Sequence, residues 1–288
     1  MRKVVAVYSD TQIEKMFDDV EHSPYIIFAP PRSCSTMIAQ VLTGNTGIQD
    51  QHVHEPCDKY AHKGFSKLSI VTSIGDKLIG SKPALIKEMT FQVGTGALFK
   101  KFVARCKKPI FLIRDPRLCI ESRIRMILEG LISSKEFDGD KTMLQEAIRI
   151  KEYSGLDEIL ASRFPIRHTG WGALEEQIQY CVDSKIKYIV VDSTRLRAEP
   201  ELATRRLCLD LGLDFEEDML SWDGGRDTSK GFGDLSEQSL WYERVASSTR
   251  VERPTEKILD IKRFPEYFRT HIEKYISFYN KLILAYSE

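Results

Sequence analysis

Several features that would restrict the class of this protein are missing from its sequence. Lysine plus arginine and aspartate plus glutamate each number 42, so the chain of 288 residues has no net charge. A protein that binds nucleic acid or an anionic membrane usually needs a positive field, which the chain as a whole lacks. No run of about 18 apolar residues is present, which predicts that no segment spans a membrane. Any anion must therefore be bound by locally placed groups.

Paired cysteine spacings and repeats are also absent. The six cysteines are scattered without a CxxC motif, and the apolar stretch after Met1 is too short for a secretory signal peptide. We therefore expect reduced thiols in a cytoplasmic protein. No zinc or other metal site is predicted, because His52 and His54 lack paired cysteine ligands. The absence of repeats and low-complexity linkers predicts one α/β domain over 1–288, with its core at about 25–211 and a C-terminal loop and helices at 212–288.

The stretch Tyr25–Leu42 (YIIFAPPRSCSTMIAQVL) predicts a strand, a tight turn and a helix in that order. This order aims the first free N–H groups of the helix at whatever lies over the turn, which favours an anion. Arg32 adds guanidinium donors suited to phosphate, and Ser33, Ser35 and Thr36 add hydroxyls. The turn is not a Walker A loop, since GxxxxGK[ST] is absent. By itself, the pattern is equally compatible with an ordinary strand–helix connection.

Apolar runs of strand length alternate with helical patterns along the chain, which predicts right-handed βαβ units and a parallel sheet. The predicted strands are Tyr25–Phe28, Ile48–His54, Ala84–Lys87, Pro109–Ile113 and Lys187–Val191. The later predicted helices are Gly94–Arg105, Pro116–Glu129, Thr142–Leu160, Gly170–Asp183, Glu199–Leu211 with Leu202 facing inward, and Phe264–Tyr286.

Polar residues follow each predicted strand. Ligands of parallel sheets bind at the carboxyl ends of the strands, so these residues should share one rim. The residues are Arg32, then His54 and Glu55, then Lys87 and Glu88, then Arg114 and Asp115, then Asp192, Ser193 and Thr194. Three of them are cations and several are carboxylates, on one rim of an otherwise neutral protein. The alternative, that strand ends simply lead into polar loops, explains any one end easily and all five less easily.

A second motif lies in the segment PIFLIRDPRLCIESRIRM, where Arg114 ends a strand and Ser122 follows eight residues later. Together with PRSCST at 31–36, it resembles the sulfotransferases that use 3′-phosphoadenosine-5′-phosphosulfate (PAPS). The three motifs PRSxST, HEP and RDPR, in that order, are most similar to those of the microbial single-domain branch of that family. The resemblance extends from Tyr25 to about Leu211. It implies a three-layer P-loop-like fold with a helical C-terminal region, PAPS as donor, the bisphosphate PAP as product, and no metal.

The resemblance also implies roles for individual residues. The motif that cradles the 5′-phosphosulfate falls on Arg32, Ser33, Cys34, Ser35 and Thr36, and the motif that contacts the 3′-phosphate falls on Arg114 and Ser122. Lys87 matches a lysine near the transferring group. Lys230 lies in a loop similar to one that closes over the 3′-phosphate in the steroid and phenol branch, although here the loop is one residue short and lacks its tryptophan.

A general base must take the proton of the acceptor. In the steroid and phenol branch, this base is a histidine two residues after the lysine of the third strand. In this chain that position, two residues after Lys87, is Met89, which cannot take a proton. The candidates are therefore Glu55, which we prefer, and His54. Two structural alternatives stay open: Glu55 could pair with Arg32, and His54 could be a hydrogen-bonded core residue.

Cys34 replaces the usual glycine of the first motif. Glycine tolerates positive φ and cysteine does not, so either the turn avoids that conformation or donor binding is weakened. A thiol at a helix N-terminus could also act as a nucleophile, but a small residue that simply fits is the simpler interpretation.

The sequence thus predicts a transferase that moves a sulfuryl group in line from PAPS to a hydroxyl or amine of a small molecule or carbohydrate, with a carboxylate base. The alternatives are a P-loop kinase using ATP and Mg²⁺, which the missing Walker lysine disfavours, and a catalytically inactive nucleotide-binding protein on the same fold.

Overall fold

The structure is a computed structural model that describes residues 21–49, 52–55, 57, 80–222 and 247–286. The predicted contact Lys230 lies outside these ranges. In the described part of the chain, no helix combines the length and the apolarity needed to cross a bilayer.

Five parallel strands form the centre of the molecule. They are β1 (Tyr25–Ala29), β2 (His52–His54), β3 (Leu85–Met89), β4 (Pro109–Ile113) and β5 (Ile189–Asp192). Their order in the sheet is β2-β3-β1-β4-β5, and every neighbouring pair is parallel. β1 therefore lies in the middle, and the turn that follows it opens at the carboxyl edge of the sheet between β3 and β4.

The strands are apolar because both faces of the sheet are covered. Every residue of β1, β3 and β4 is buried. Ile26 and Phe28 of β1 contribute to one hydrophobic cluster, whereas Tyr25 and Ile27 contribute to another. Since successive side chains of a strand point to opposite faces, the two clusters are the two layers between sheet and helices. The predicted three-layer P-loop-like fold is confirmed.

The helices cover both faces. They are α1 (Ser35–Thr43), α2 (Thr90–Val93), α3 (Ala97–Arg105), α4 (Pro116–Ser133), α5 (Lys141–Ile150), α6 (Asp157–Arg163), α7 (Trp171–Asp183), α8 (Ser193–Ala198), α9 (Pro200–Leu211) and α10 (Glu266–Ala285). Short 3₁₀ turns lie at Ile166–Thr169, Glu217–Met219 and Ile261–Arg263. α1 and α9 pack on the face of Tyr25, and α3, α4, α7 and α10 pack on the face of Phe28.

Two helix predictions were wrong in detail. The helix predicted over Thr142–Leu160 is interrupted, because Lys151 adopts a left-handed backbone and ends α5. Tyr153 then enters the core, where its N–H donates to Arg263 O at 2.8 Å and its hydroxyl to Glu121 Oε1 at 3.1 Å. Leu202, predicted to face inward, is 59% exposed, because α9 buries the side of Leu207 instead.

Candidate active site

The turn between β1 and α1 contains two residues with left-handed backbone. Arg32 has a φ of 66° and Cys34 a φ of 64°, with Ser33 between them. The N–H and the hydroxyl of Ser33 both donate to Pro30 O, at 3.3 and 2.7 Å. A backbone in which residues of positive and negative φ alternate turns its N–H groups toward one concave side, and such a concave side suits an anion. The turn thus keeps positive φ at Cys34, and the hydroxyl of Ser33 is buried beneath it instead of facing the concave side.

Ser35 and Thr36 form the first turn of α1. Both are largely buried, and their hydroxyls have no hydrogen-bond partner among the described residues. The first N–H groups of a helix likewise lack intrahelical acceptors. These two residues therefore place unused donors at the same end of the helix that the turn approaches.

The two predicted anion motifs meet at Arg32. Its Nε donates to Ser122 Oγ at 3.0 Å, and its carbonyl oxygen accepts from Arg114 Nη1 at 3.0 Å. Burial lowers the pKa of Arg32 from its ordinary value, and the positive charges of Arg114 and Arg125 lower it further. The positive charges of Arg32, Arg114 and Arg125 therefore lie close enough to act on one another, and such a concentration of positive charge favours a bound anion.

Two of the three guanidinium nitrogens of Arg114 are held by contacts within the chain. The residue is 6% exposed, Nη1 is bonded to the turn, and Nη2 lies 3.0 Å from Glu256 Oε1. Its Nε is buried and has no hydrogen-bond partner among the described residues. Buried polar atoms normally have a partner, so this atom indicates a position for an acceptor that the chain itself does not fill.

Glu256 is held in turn by Arg197. Both carboxylate oxygens of Glu256 accept from Arg197 Nη1, at 2.9 and 3.0 Å. Arg197 Nε and Nη2 donate to the carbonyl oxygens of Glu252 and Arg253. Although burial opposes ionisation, the hydrogen bonds of Arg197 and the charge of Arg114 lower the pKa of Glu256 to about 2. The carboxylate is therefore a fixed negative charge between two arginines.

Glu55 and Lys87 form an ion pair beside this cluster. Lys87 Nζ donates to Glu55 Oε1 in a short contact, and Gln92 Nε2 donates to Glu55 Oε2 at 3.2 Å. Burial opposes ionisation of Glu55, but Lys87 and His54 outweigh it and hold the pKa of Glu55 well below its ordinary value. Burial also lowers the pKa of Lys87, and the charge of Arg32 adds to that effect. Glu55 thus pairs with Lys87, not with Arg32, and in this state it is a weak base.

His54 and His52 extend the network. His54 Nε2 lies 3.2 Å from Glu55 Oε1, and His52 Nε2 lies 3.0 Å from His54 Nδ1. Burial, followed by the charge of Lys87, lowers the pKa of His52 to about 3 and that of His54 well below its ordinary value, so both rings are neutral. An ionised carboxylate only accepts, so His54 carries its proton on Nε2 and His52 donates from Nε2. His54 is buried and hydrogen-bonded, as its structural alternative expected.

Glu55 also has an unusual backbone. Its φ is 38°, and its N–H continues the pairing of β2 with β3 by donating to Lys87 O at 2.7 Å. Pro56 disfavours the right-handed helical region at the residue before it, and Glu55 takes the left-handed region. Left-handed backbone in residues other than glycine is strained and occurs often at functional sites. Arg32, Cys34 and Glu55 are all of this kind.

Other predicted rim residues serve the fold. Asp115 accepts from the N–H of Arg117 and caps α4. Asp192 accepts from the N–H of Thr194 and caps α8. Glu88 is fully buried, and burial raises its pKa to about 8, while its carboxyl oxygens accept from the N–H groups of Cys57 and Met89.

Three residues of this region were missed from the sequence: Gln92, Arg197 and Glu256. Gln92 and Arg197 each follow a strand within five residues, which is a usable signal for the carboxyl edge. Glu256 had no such signal, because it lies in an irregular stretch 59 residues after Arg197. Among the described residues, no group of three or more histidine, cysteine, aspartate or glutamate side chains could hold a metal.

Comparison with known proteins gives one sequence match. A family model described as "Sulfotransferase domain" matches residues 173–281. These residues include Arg197 and Glu256, but they exclude the turn after β1, Glu55, Lys87 and Arg114. The search of curated proteins finds no match to this sequence.

Several solved structures are similar at low identity. One is the sulfotransferase domain from the curacin biosynthetic pathway, with 16% identity, a TM-score of 0.46, and coverage of 88% of this chain and 98% of that chain. Another is a mouse sulfotransferase complexed with PAP, with 13% identity, a TM-score of 0.44, and coverage of 73% and 67%. A third is the sulfotransferase domain of the Synechococcus PCC 7002 olefin synthase, with 14% identity, a TM-score of 0.43, and coverage of 90% and 98%.

Proposed function

We propose that this chain transfers a sulfuryl group from PAPS to a hydroxyl or amine of a small molecule or carbohydrate, and the match of residues 173–281 to a sulfotransferase domain model supports this. The observation that carries the proposal is the cluster of Arg32, Arg114 and Ser122 directly beside the Glu55–Lys87 pair. One part of this rim suits anions, and the adjoining part holds a carboxylate that can take a proton.

The residues fit a donor with two anionic ends. The turn at 30–36 supplies N–H groups and the hydroxyls of Ser35 and Thr36 for a 5′-phosphosulfate. Arg114, with its unpartnered Nε, and Ser122 are assigned to a 3′-phosphate. Arg32 lies between the two subsites, and Lys230 is retained as a proposed further contact. The donor supplies an activated sulfuryl group, and no metal is required.

Glu55 is proposed as the general base, and Lys87 controls it. While Lys87 Nζ and His54 Nε2 both contact Oε1, that oxygen is a poor proton acceptor. Lys87 would turn from Glu55 to the anionic donor, where its charge would stabilise the departing oxygen. Oε1 would then keep only the hydrogen bond from His54 Nε2, and its other lone pair could take the proton of the acceptor hydroxyl or amine. His54 stays in place and orients the carboxylate through Nε2.

The first test is calorimetric titration with PAP and, separately, with ATP plus Mg²⁺, on the wild type and on Arg114→Ala. We expect wild-type binding of PAP that does not depend on Mg²⁺, with at least about tenfold weaker binding in the variant, because a charge-assisted hydrogen bond contributes about 1.5–3 kcal/mol. Arg195→Ala, at an exposed arginine that pairs with Glu199 on the protein surface, is the matched control and should bind PAP as the wild type does.

Two results would count against the proposal. Absence of PAP binding in the wild type would contradict the donor assignment, and tighter binding of ATP with Mg²⁺ would favour the kinase alternative. PAP binding without transfer of sulfate from PAPS to any of a panel of acceptors would favour an inactive nucleotide-binding protein.

A further inference from the structure

The stretch 252–256 lies at the carboxyl edge of the sheet, where it contacts Arg114 after β4 and Arg197 after β5. Arg197, at the end of β5 and within α8, bonds this stretch at three points: the carbonyl oxygens of Glu252 and Arg253 and the carboxylate of Glu256. Arg197 is 4% exposed, and all three of its nitrogens are used. Its contacts within the chain therefore serve to fix the stretch.

The other end of this contact is Arg114. Glu256 Oε1 lies 3.0 Å from Arg114 Nη2, while Nη1 is tied to the carbonyl oxygen of Arg32 in the turn. With both terminal nitrogens held, the guanidinium plane is fixed, and only Nε remains unpartnered among the described residues. A planar, pre-oriented guanidinium loses less freedom when it binds an anion than a mobile one.

We propose that Glu256 is a positioning residue for anion recognition: it orients the guanidinium of Arg114, while Arg197 neutralises the negative charge of Glu256. This inference rests on the proposed function, because it takes Arg114 to contact the 3′-phosphate of the donor. Glu256 lies within the region matched by the sulfotransferase domain model, whereas Arg114, on which it acts, lies outside that region.

The opposite role would be that of an internal anion, with Glu256 occupying the phosphate position until the donor displaces it. The contacts disfavour this role. Glu256 accepts two hydrogen bonds from Arg197 Nη1 and one from the N–H of Thr255. To move away from Arg114, the carboxylate would have to break or distort these bonds. That would leave the buried charge of Arg197 without its carboxylate, which is costly. Two arginines around one carboxylate also retain a net positive charge, so a phosphate is still attracted.

The test compares PAP with AMP, which lacks the 3′-phosphate, by calorimetry on the wild type and on Glu256→Gln. Gln retains the length of the side chain but removes its charge and places an amide donor against an arginine. We expect PAP binding to weaken about tenfold and AMP binding to change less than about twofold, because AMP makes no contact through Arg114. Glu199→Gln, at an exposed glutamate, is the matched control and should change neither affinity.

A second comparison shows whether Glu256 acts through Arg114. The double variant Arg114→Ala/Glu256→Gln should bind PAP no more weakly than Arg114→Ala alone. Should Glu256→Gln be unfolded at the titration temperature, Glu256→Asp replaces it, since Asp keeps the charge but is too short to contact both arginines as Glu does. A selective loss of PAP relative to AMP in that variant supports the proposal equally.

Each remaining outcome overturns the inference. Unchanged PAP affinity in Glu256→Gln would leave Glu256 with a role in stability alone, and tighter PAP binding would identify it as the internal anion. Equal weakening of PAP and AMP would place its effect elsewhere in the site. Failure of the wild type to bind PAP would instead contradict the proposed function, together with the inference that rests on it.

Discussion

Glu55 shows how the charge of one neighbour can decide what a side chain does. Its carboxylate is buried, which by itself would raise its pKa, yet Lys87 and His54 hold the pKa low. The charged groups and imidazoles that face it, or act on it through space, are Lys87, His54, His52 and Glu88. Removal of the Lys87 contact alone would leave burial as the dominant effect and make Glu55 a stronger base.

The release of Glu55 predicts proton uptake when PAP binds. If Lys87 moves to the phosphate, the pKa of Glu55 rises, and at about pH 5 the wild type should take up more protons than Glu55→Gln, by a fraction of one proton. Calorimetry of PAP binding in buffers of different ionisation enthalpy measures this number. The phosphates of PAP are common to both titrations, so the difference reports on the pair of Glu55 and Lys87. Identical uptake by the two proteins would contradict release of Glu55 by Lys87.

At the scale of elements, the turn after β1 depends on a close approach by the start of α7. Gly170 has a φ of 76°, and its carbonyl oxygen accepts from Thr90 Oγ1 at 2.8 Å. A Cβ on Gly170 would lie 2.6 Å from Thr90 Oγ1, 2.8 Å from Pro31 Cδ and 3.1 Å from Pro30 Cα. Only glycine fits there, because both the backbone conformation and the space exclude a side chain.

Substitution of Gly170 should therefore destabilise the protein through the turn. Gly170→Ala is expected to lower the free energy of unfolding by about 2–4 kcal/mol, from left-handed strain plus overpacking. Gly172→Ala, two residues later in α7, is the control: apart from the adjoining backbone of α7, no atom lies within 4 Å of the added Cβ, and the change should raise stability by up to about 1 kcal/mol. Urea unfolding of both variants measures the difference, and equal effects would show that the contact with Pro31 is unimportant.

At the scale of the whole molecule, Glu256 joins distant parts of the chain. It connects the stretch before α10 to β4 through Arg114 and to α8 through Arg197. Val251 N–H also donates to Leu220 O, and Trp222 N–H to Thr249 O, which fastens the same stretch to the residues after α9. The C-terminal region is thus bound to the sheet edge by charge as well as by the apolar face of α10.

This link predicts acid sensitivity. The pKa of Glu256 is lowered to about 2 in the folded protein, so its contribution to stability is complete above about pH 5 and is lost as the pH falls toward 2. The stability of the wild type relative to Glu256→Gln should decline over that range by about 3 kcal/mol. Urea unfolding at a series of pH values tests this, and a difference that is constant from pH 6 to 3 would contradict it.

Much of the fold could be predicted from the sequence. β4 has the predicted bounds, and β1 and β3 differ from prediction by one or two residues at their ends. These strands are continuous apolar runs that are buried on both faces, so composition alone identifies them. Asp115 before Pro116 also identified the start of α4, because both residues favour that position for local reasons.

The sequence by itself determined the parallel sheet, the motifs at its carboxyl edge and the cations they contribute, because apolar runs, caps and turn residues act over a few neighbouring positions. Only the tertiary structure decided which carboxylate meets which cation. Glu55 is 32 residues from its partner Lys87, and Glu256 is 59 residues from Arg197. Such pairs depend on where strand ends and a returning segment converge in space, and no local pattern of residues encodes that distance.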